Sequence, residues 1–256
     1  EPYRRQRQMC IRDSYMANPI LNENYAAQER VLQGEPMTVN GTIQITAFLG
    51  LLLVASAAFC WSRFTLGYTD MGMMLTAGGA IVGFILALVI AFTRVKYLIP
   101  VYAACEGLFL GGISASFEAS YPGIVSQAVA GTFAALFSML ILYRAKLIQC
   151  TDKFRSVIFI ATCSIAVLYL INFIGHFFHY AVPVINSSSN FGIAFSIIVV
   201  IIAALNLIID FDFIERGARN MLPKDMEWYG AFGLMVTIVW LYLEILRLLA
   251  KLQDRR

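Results

Sequence analysis

The chain is predicted to be all α-helical and to cross a membrane seven times. Three observations carry that prediction. Apolar residues make up 59% of the chain and charged residues 14%, where a soluble domain carries about a quarter charged residues. Seven apolar runs follow one another, each near the ~20 residues a helix needs to cross a hydrocarbon core about 30 Å thick. Between them stand short polar or breaker-containing segments, none large enough to be a soluble domain.

Residues 1–15, EPYRRQRQMCIRDSY, are polar and basic and lack the apolar core of a signal peptide. The string MCIRDS resembles translated sequencing-adapter sequence, and Met16 opens a natural-looking start, MANPILNE. Residues 1–15 are therefore read as a non-native tail and set aside. Residues 16–42 form a polar lead-in, with Asn40-Gly41 marking a turn before the first span. The spans are placed at 43–62, 71–93, 97–118, 122–143, 155–178, 190–210 and 228–250. Their separators are SRFTLGYTD, TRVK, EASYPG, YRAKLIQCTDKFR, HYAVPVINSSS and FDFIERGARNMLPKDME. The membrane domain thus occupies 43–250, and residues 251–256 form a basic tail.

Orientation follows from lysine and arginine, which stay on the cytoplasmic side. The even-numbered loops hold Arg94 and Lys96, then Arg144, Lys146, Lys153 and Arg155, then Arg216, Arg219 and Lys224; the odd-numbered loops hold only Arg63. The N-terminus is accordingly expected in the cytoplasm. One feature opposes this: the seventh span ends with Arg247, Lys251, Arg255 and Arg256 on what would be the outer side. Gly79-x-x-x-Gly83 and Gly107-x-x-x-Gly111 are read as sites of close helix approach.

Ionisable side chains inside a membrane are costly and face protein or water. Those within the spans are Glu106 in the third, Asp210 at the end of the sixth, and Glu244 with Arg247 in the seventh. Asp210 and Asp212 project about 200° apart on a helix, so they face different ways, whereas Asn206 shares Asp210's face. An Asp210 turned into the bundle beside a second carboxylate would share a proton with it and act as a pH-sensitive latch. Turned outward, it would be a hydrated headgroup residue. Glu244 and Arg247 are explained by an ion pair along one helix face. Glu106 has no cationic neighbour in sequence and is a functional candidate, or a protonated acid bonding an adjacent helix. His176 and His179 have metal-like spacing but no carboxylate or cysteine nearby, and read as interfacial. Asn186-Ser-Ser fits the glycosylation pattern, a triplet common by chance.

Several classes are set aside. The five cysteines, Cys10, Cys60, Cys105, Cys150 and Cys163, form no C-x-x-C or Cys/His cluster, so neither a disulfide framework nor a zinc site is read. There is no H-E-x-x-H, no G-x-S-x-G and no P-loop, and no lysine stands inside the seventh span for a retinal Schiff base. The chain is expected not to be an enzyme, to need no cofactor and to bind no nucleic acid. Secondary transport would predict paired, interrupted halves, and no half-repeat is evident.

Five stretches carry a family resemblance: MANPILNE, MTVNGTI, EGLFLGGISASFEASYPGIVSQAVAGTF, DFDFIERG and MEWYGAFGLMVTIVWLYLEILRLLAKL. Together they resemble bacterial Bax inhibitor-1-like proteins over residues 16–252. The resemblance implies a compact bundle with a central seventh helix, placed in the bacterial inner membrane. It also implies a pH-sensitive calcium leak connected with stress responses. The family's sensor is a pair of aspartates, one late in span six and one in span seven. Asp210 matches the first, with Asp212 where a polar residue usually sits. For the second, the LYLE string offers Glu244, while the register of Arg247-Leu248-Leu249 offers Thr237. The antiparallel packing of the two spans favours Thr237. The chain would then lack the second carboxylate, leaving Glu106 or Asp212 as substitute partners for Asp210. On this reading Asp210 holds calcium transiently, Glu106 lines the path, and Arg247 is an end-of-helix counter-charge. The rival reading is a non-conducting modulator of a membrane quality-control protease, acting through residues 16–40.

Overall fold

The computed structural model describes the backbone of residues 35–177 and 189–255, and side chains for 35–175 and 189–255. His176's side chain, His179 and the Asn186 triplet lie outside the described residues, as do the adapter-like tail and most of the polar lead-in. Seven long helices follow one another: α1 (Val39–Thr65), α2 (Thr69–Thr93), α3 (Ile99–Ser120), α4 (Ile124–Arg144), α5 (Asp152–Phe177), α6 (Asn190–Arg219) and α7 (Met226–Gln253). The shortest has 21 residues and the longest 30, so at about 1.5 Å per residue each can cross a bilayer. All seven are apolar enough to do so. The chain is a multi-pass membrane protein. Among the described residues the sole extended pairing is one antiparallel bridge, Pro36 to Pro223.

Apolar side chains cover the outside. Met74, Phe84, Phe92, Phe137, Phe159 and Phe191 are all largely exposed, a surface that water would disfavour and lipid tails accept. Association inside lipid then depends on close packing. Helix α3 lies against both α1 and α2, and glycines make this possible. A Cβ on Gly111 would come within 2.9 Å of the Ala57 carbonyl carbon of α1, and one on Gly79 within 2.6 Å of the Cys105 carbonyl oxygen of α3. The two glycine motifs therefore serve different neighbours.

Helix α7 is the centre of the bundle. It packs on α6, α1 and α4 and touches α3. From α5, Tyr169 donates a hydrogen bond to Glu244, and Tyr229 of α7 donates one to the carbonyl of Arg94, the residue that caps α2. Local signals set the helix ends. Thr38 caps α1 by accepting from the Gly41 amide at 2.9 Å, and Ser189 caps α6 through Gly192 at 3.3 Å. Glu118 accepts from the amides of Gly123 and Val125 at the start of α4. Gly123 sits at φ +83°, where a side chain would be strained.

Two boundaries differ from the sequence reading. Asn40-Gly41 is not a turn before the first span but lies inside the first turn of α1. A Cβ there would fall within 2.5 Å of the Glu227 carboxyl carbon, so the glycine admits a side chain from α7. The sixth helix does not stop at 210 but continues to Arg219. The pairs Asp212–Arg216 and Glu215–Arg219, each four residues apart, support the extra turns where the chain leaves the apolar region.

Candidate functional site

Helix α6 buries Ala203, Ala204, Leu207 and Ile208 in the bundle, and the next residues bring Asp210 to the seam with α7. Oδ1 of Asp210 faces Gly233, whose Cβ, if present, would lie 3.6 Å away. One turn further along α7, Thr237 presents its hydroxyl to the same carboxyl while also donating to the Gly233 carbonyl at 3.2 Å. Oδ2 of Asp210 is buried and has no hydrogen-bond partner. An acceptor left unsatisfied in apolar surroundings is costly. Such an oxygen gains by receiving a proton or a cation.

The residue that meets Asp210 from α7 is thus Thr237, not Glu244. Neither suggested substitute carboxylate joins it. Asp212 points to the far side of α6, as the 200° separation requires, and is gripped by Arg155 of α5 at 2.7 Å and Arg216 at 2.8 Å. Arg216 also donates to the Cys150 carbonyl at 2.9 Å, tying the α4–α5 loop to the same cluster. Glu106 lies between α3 and α2, with Oε2 placed 3.3 Å from where a Gly83 Cβ would stand, and beside Tyr102 one turn earlier. Tyr102 in turn meets the Phe232 ring edge-on at 5.1 Å. Asn206 turns toward α5, donating to Thr162 Oγ1 at 2.9 Å. The polar residues gathered by sequence thus separate into distinct places.

Glu244 belongs to a network at the opposite end of α7. Its carboxylate is 1% exposed and accepts from Tyr169 at 2.9 Å, Trp240 at 3.2 Å and Arg247 at 3.1 Å. Arg247 also donates to the Tyr169 hydroxyl at 2.8 Å and lies over its ring at 4.9 Å. One turn on, buried Lys251 donates to Ser196 Oγ at 2.9 Å and to the Gly192 carbonyl at 3.2 Å. These contacts make the network a satisfied ion pair with an aromatic wall.

Sequence reasoning missed Glu227. It is buried and accepts from the Thr38 amide at 2.8 Å and the Thr38 hydroxyl at 2.9 Å, so a carboxylate of α7 stands at the N-terminus of α1, where the helix dipole favours it. Nothing in the local pattern of KDMEWYG separates this acid from a solvated one. Beside it, Lys224 pairs with Glu35 at 2.5 Å. The pairing holds the Glu35 carboxyl below its usual range and the Lys224 amine above its own, in each case mainly through their shared hydrogen bond. The acid's contribution is lost only as pH falls through its lowered pKa, and the amine's only as pH rises through its raised one. The pair is therefore constant between about pH 6 and about pH 8, and a response in that window must arise elsewhere.

Among the described residues no three histidine, cysteine or acidic side chains lie close enough to hold a metal together. Compared with known proteins, residues 18–254 match the family model described as Bax inhibitor 1 like. No curated protein sequence matches the chain.

Proposed function

The chain belongs to the Bax inhibitor 1 like family, and on that premise we propose that it is a pH-sensitive calcium leak with Asp210 as its titrating latch. The observation that supports this most is the buried, partnerless Oδ2 of Asp210 on the seam between α6 and α7. Calcium takes oxygen ligands and usually six to eight of them. One carboxyl and one threonine hydroxyl form a poor resting site, which suits passage rather than storage. Protonation of Asp210 would remove the negative charge that draws the cation in. With Thr237 opposite, the latch has a single carboxyl, so its pH response follows one proton rather than two.

In this reading the end of the bundle bearing Arg94, Arg144, Arg155 and Lys224 faces the cytoplasm of a bacterial inner membrane. Two of the cations that oppose this orientation, Arg247 and Lys251, are engaged within the protein, which weakens their hold on the topology.

Calcium flux into proteoliposomes at about pH 6 and about pH 8 tests the proposal. Wild type is expected to conduct differently at the two values, and Asp210→Asn to conduct alike at both. Asp212→Asn, which alters the arginine cluster instead, is expected to retain the difference. Absence of flux from wild type at either pH would sink the channel reading in favour of a non-conducting partner of a membrane protease.

A further inference from the structure

At the basic end of the seam that holds Asp210, two glycines let side chains from other segments come close. Seven residues make nearly two helical turns, so Gly217 lies under Asp210 on α6, and Gly230 lies under Thr237 on α7. At that level, roughly 10 Å from Asp210 along the helix axis, Ile214 of α6 and Thr42 of α1 pack against Gly230, 3.2 Å and 3.3 Å from where its Cβ would stand. The space over Gly217 is filled from outside the two helices. Met37, on the short segment before α1, is 2% exposed. Its Sδ lies 2.7 Å from where a Gly217 Cβ would stand, and its Cε 3.5 Å from that of Gly230. Gly217 could not carry a Cβ with Met37 in place, whereas at Gly230 Met37 is in ordinary contact and Ile214 and Thr42 lie closer.

The segment is strapped down on both sides of this methionine. Its amide donates to the Leu222 carbonyl at 2.7 Å, and Pro36 bridges Pro223. Ahead of it Glu35 pairs with Lys224; behind it Thr38 donates twice to Glu227. All these anchors belong to the loop after α6 or to the start of α7. The Glu35–Lys224 pair is at the bundle surface, where an ion pair is weak. A flexible thioether held by weak surface contacts can withdraw more readily than a packed helix can move.

We propose that residues 35–38 form a strap whose Met37 plugs the basic end of the α6–α7 seam and controls access to Asp210. When the strap is seated, water and cations do not reach the carboxyl from that end; when it lifts, the space over Gly217 opens and Ile214 gains room to move off Gly230. The purpose of the strap rests on the leak reading above, but its existence does not.

The test is therefore chemical access rather than flux alone. Gly233→Cys is introduced into a chain whose five native cysteines are alanine; its Cβ meets Asp210 at an ordinary 3.6 Å. A charged, membrane-impermeant thiol reagent is applied to the basic end, and the labelling rate is read. Met37→Ala is expected to raise that rate roughly tenfold or more, and Met37→Leu to leave it near its starting value. Lys224→Glu, which keeps Met37 but sets two acids against each other, is expected to raise the rate as well. Adding Glu35→Lys to restore the pair is expected to reverse that gain.

An unchanged rate in both Met37→Ala and Lys224→Glu would overturn the strap, whatever the flux. Faster labelling together with larger calcium flux supports both the strap and the leak. Faster labelling with no flux from any variant keeps the strap as a seal and removes the leak.

Discussion

Gly111→Ala is expected to lower the unfolding midpoint of the detergent-solubilised protein by about 10 °C, corresponding to about 3 kcal/mol. The added methyl would meet the backbone of α1 at Ala57, and a backbone cannot rotate aside as a side chain does. Either α1 and α3 separate, losing the contact along their length, or the strain stays in place. Gly50 gives the contrast, because a Cβ there would meet nothing within 4 Å. Gly50→Ala is expected to be neutral or to stabilise by about 0.5–1 kcal/mol, since alanine suits a helix better than glycine. A thermal series on Gly50→Ala, Gly78→Ala, Gly79→Ala and Gly111→Ala should fall into two groups. Gly78 also has open space around it, and Gly79 does not. Equal midpoints across the four would contradict the packing described.

Arg247→Met is the second large effect. It strips the paired guanidinium from a carboxylate that is almost wholly buried, while Arg247 itself is 38% exposed, so the cost falls at the low end of the about 3–5 kcal/mol of a fully buried pair. Tyr169 and Trp240 would still donate to Glu244, but they carry no charge to balance it. The double variant Glu244→Gln/Arg247→Met removes both charges together and is expected to recover most of the loss. Thermal unfolding of the two single variants and the double one measures the coupling. If the double variant is as unstable as the sum of the singles, the pair is not coupled and the account fails.

Much of the architecture was legible because lipid simplifies the pattern. A helix crossing a bilayer must be long, apolar and closed by polar loops, and all seven follow that rule. The end of α6 was not legible. Asp212, Glu215, Arg216 and Arg219 look like a polar loop by composition, yet at four-residue spacing they hold another two turns of helix.

The candidate site was readable in part. The register of Arg247-Leu248-Leu249 and the antiparallel geometry pointed to Thr237 as the residue across from Asp210, and the angular offset to Asp212 facing another way. The partners of the other acids come from too far away in sequence. Tyr169 reaches Glu244 across 75 positions and Arg155 reaches Asp212 across 57. Such contacts depend on how helices rotate against one another. Glycine spacing showed that close approaches exist, but not that Gly79 serves α3 while Gly111 serves α1.

Glu227 has a consequence for how the chain is made. The carboxylate that completes the first turn of α1 is supplied 189 residues later. At a synthesis rate of about 5–20 residues per second, some 10–40 s pass between the two. For that interval the start of the first helix has only Thr38 and water to serve it. Helix α7 therefore closes a ring with α1, and a chain truncated before residue 227 is born with the opening turn of α1 unfinished.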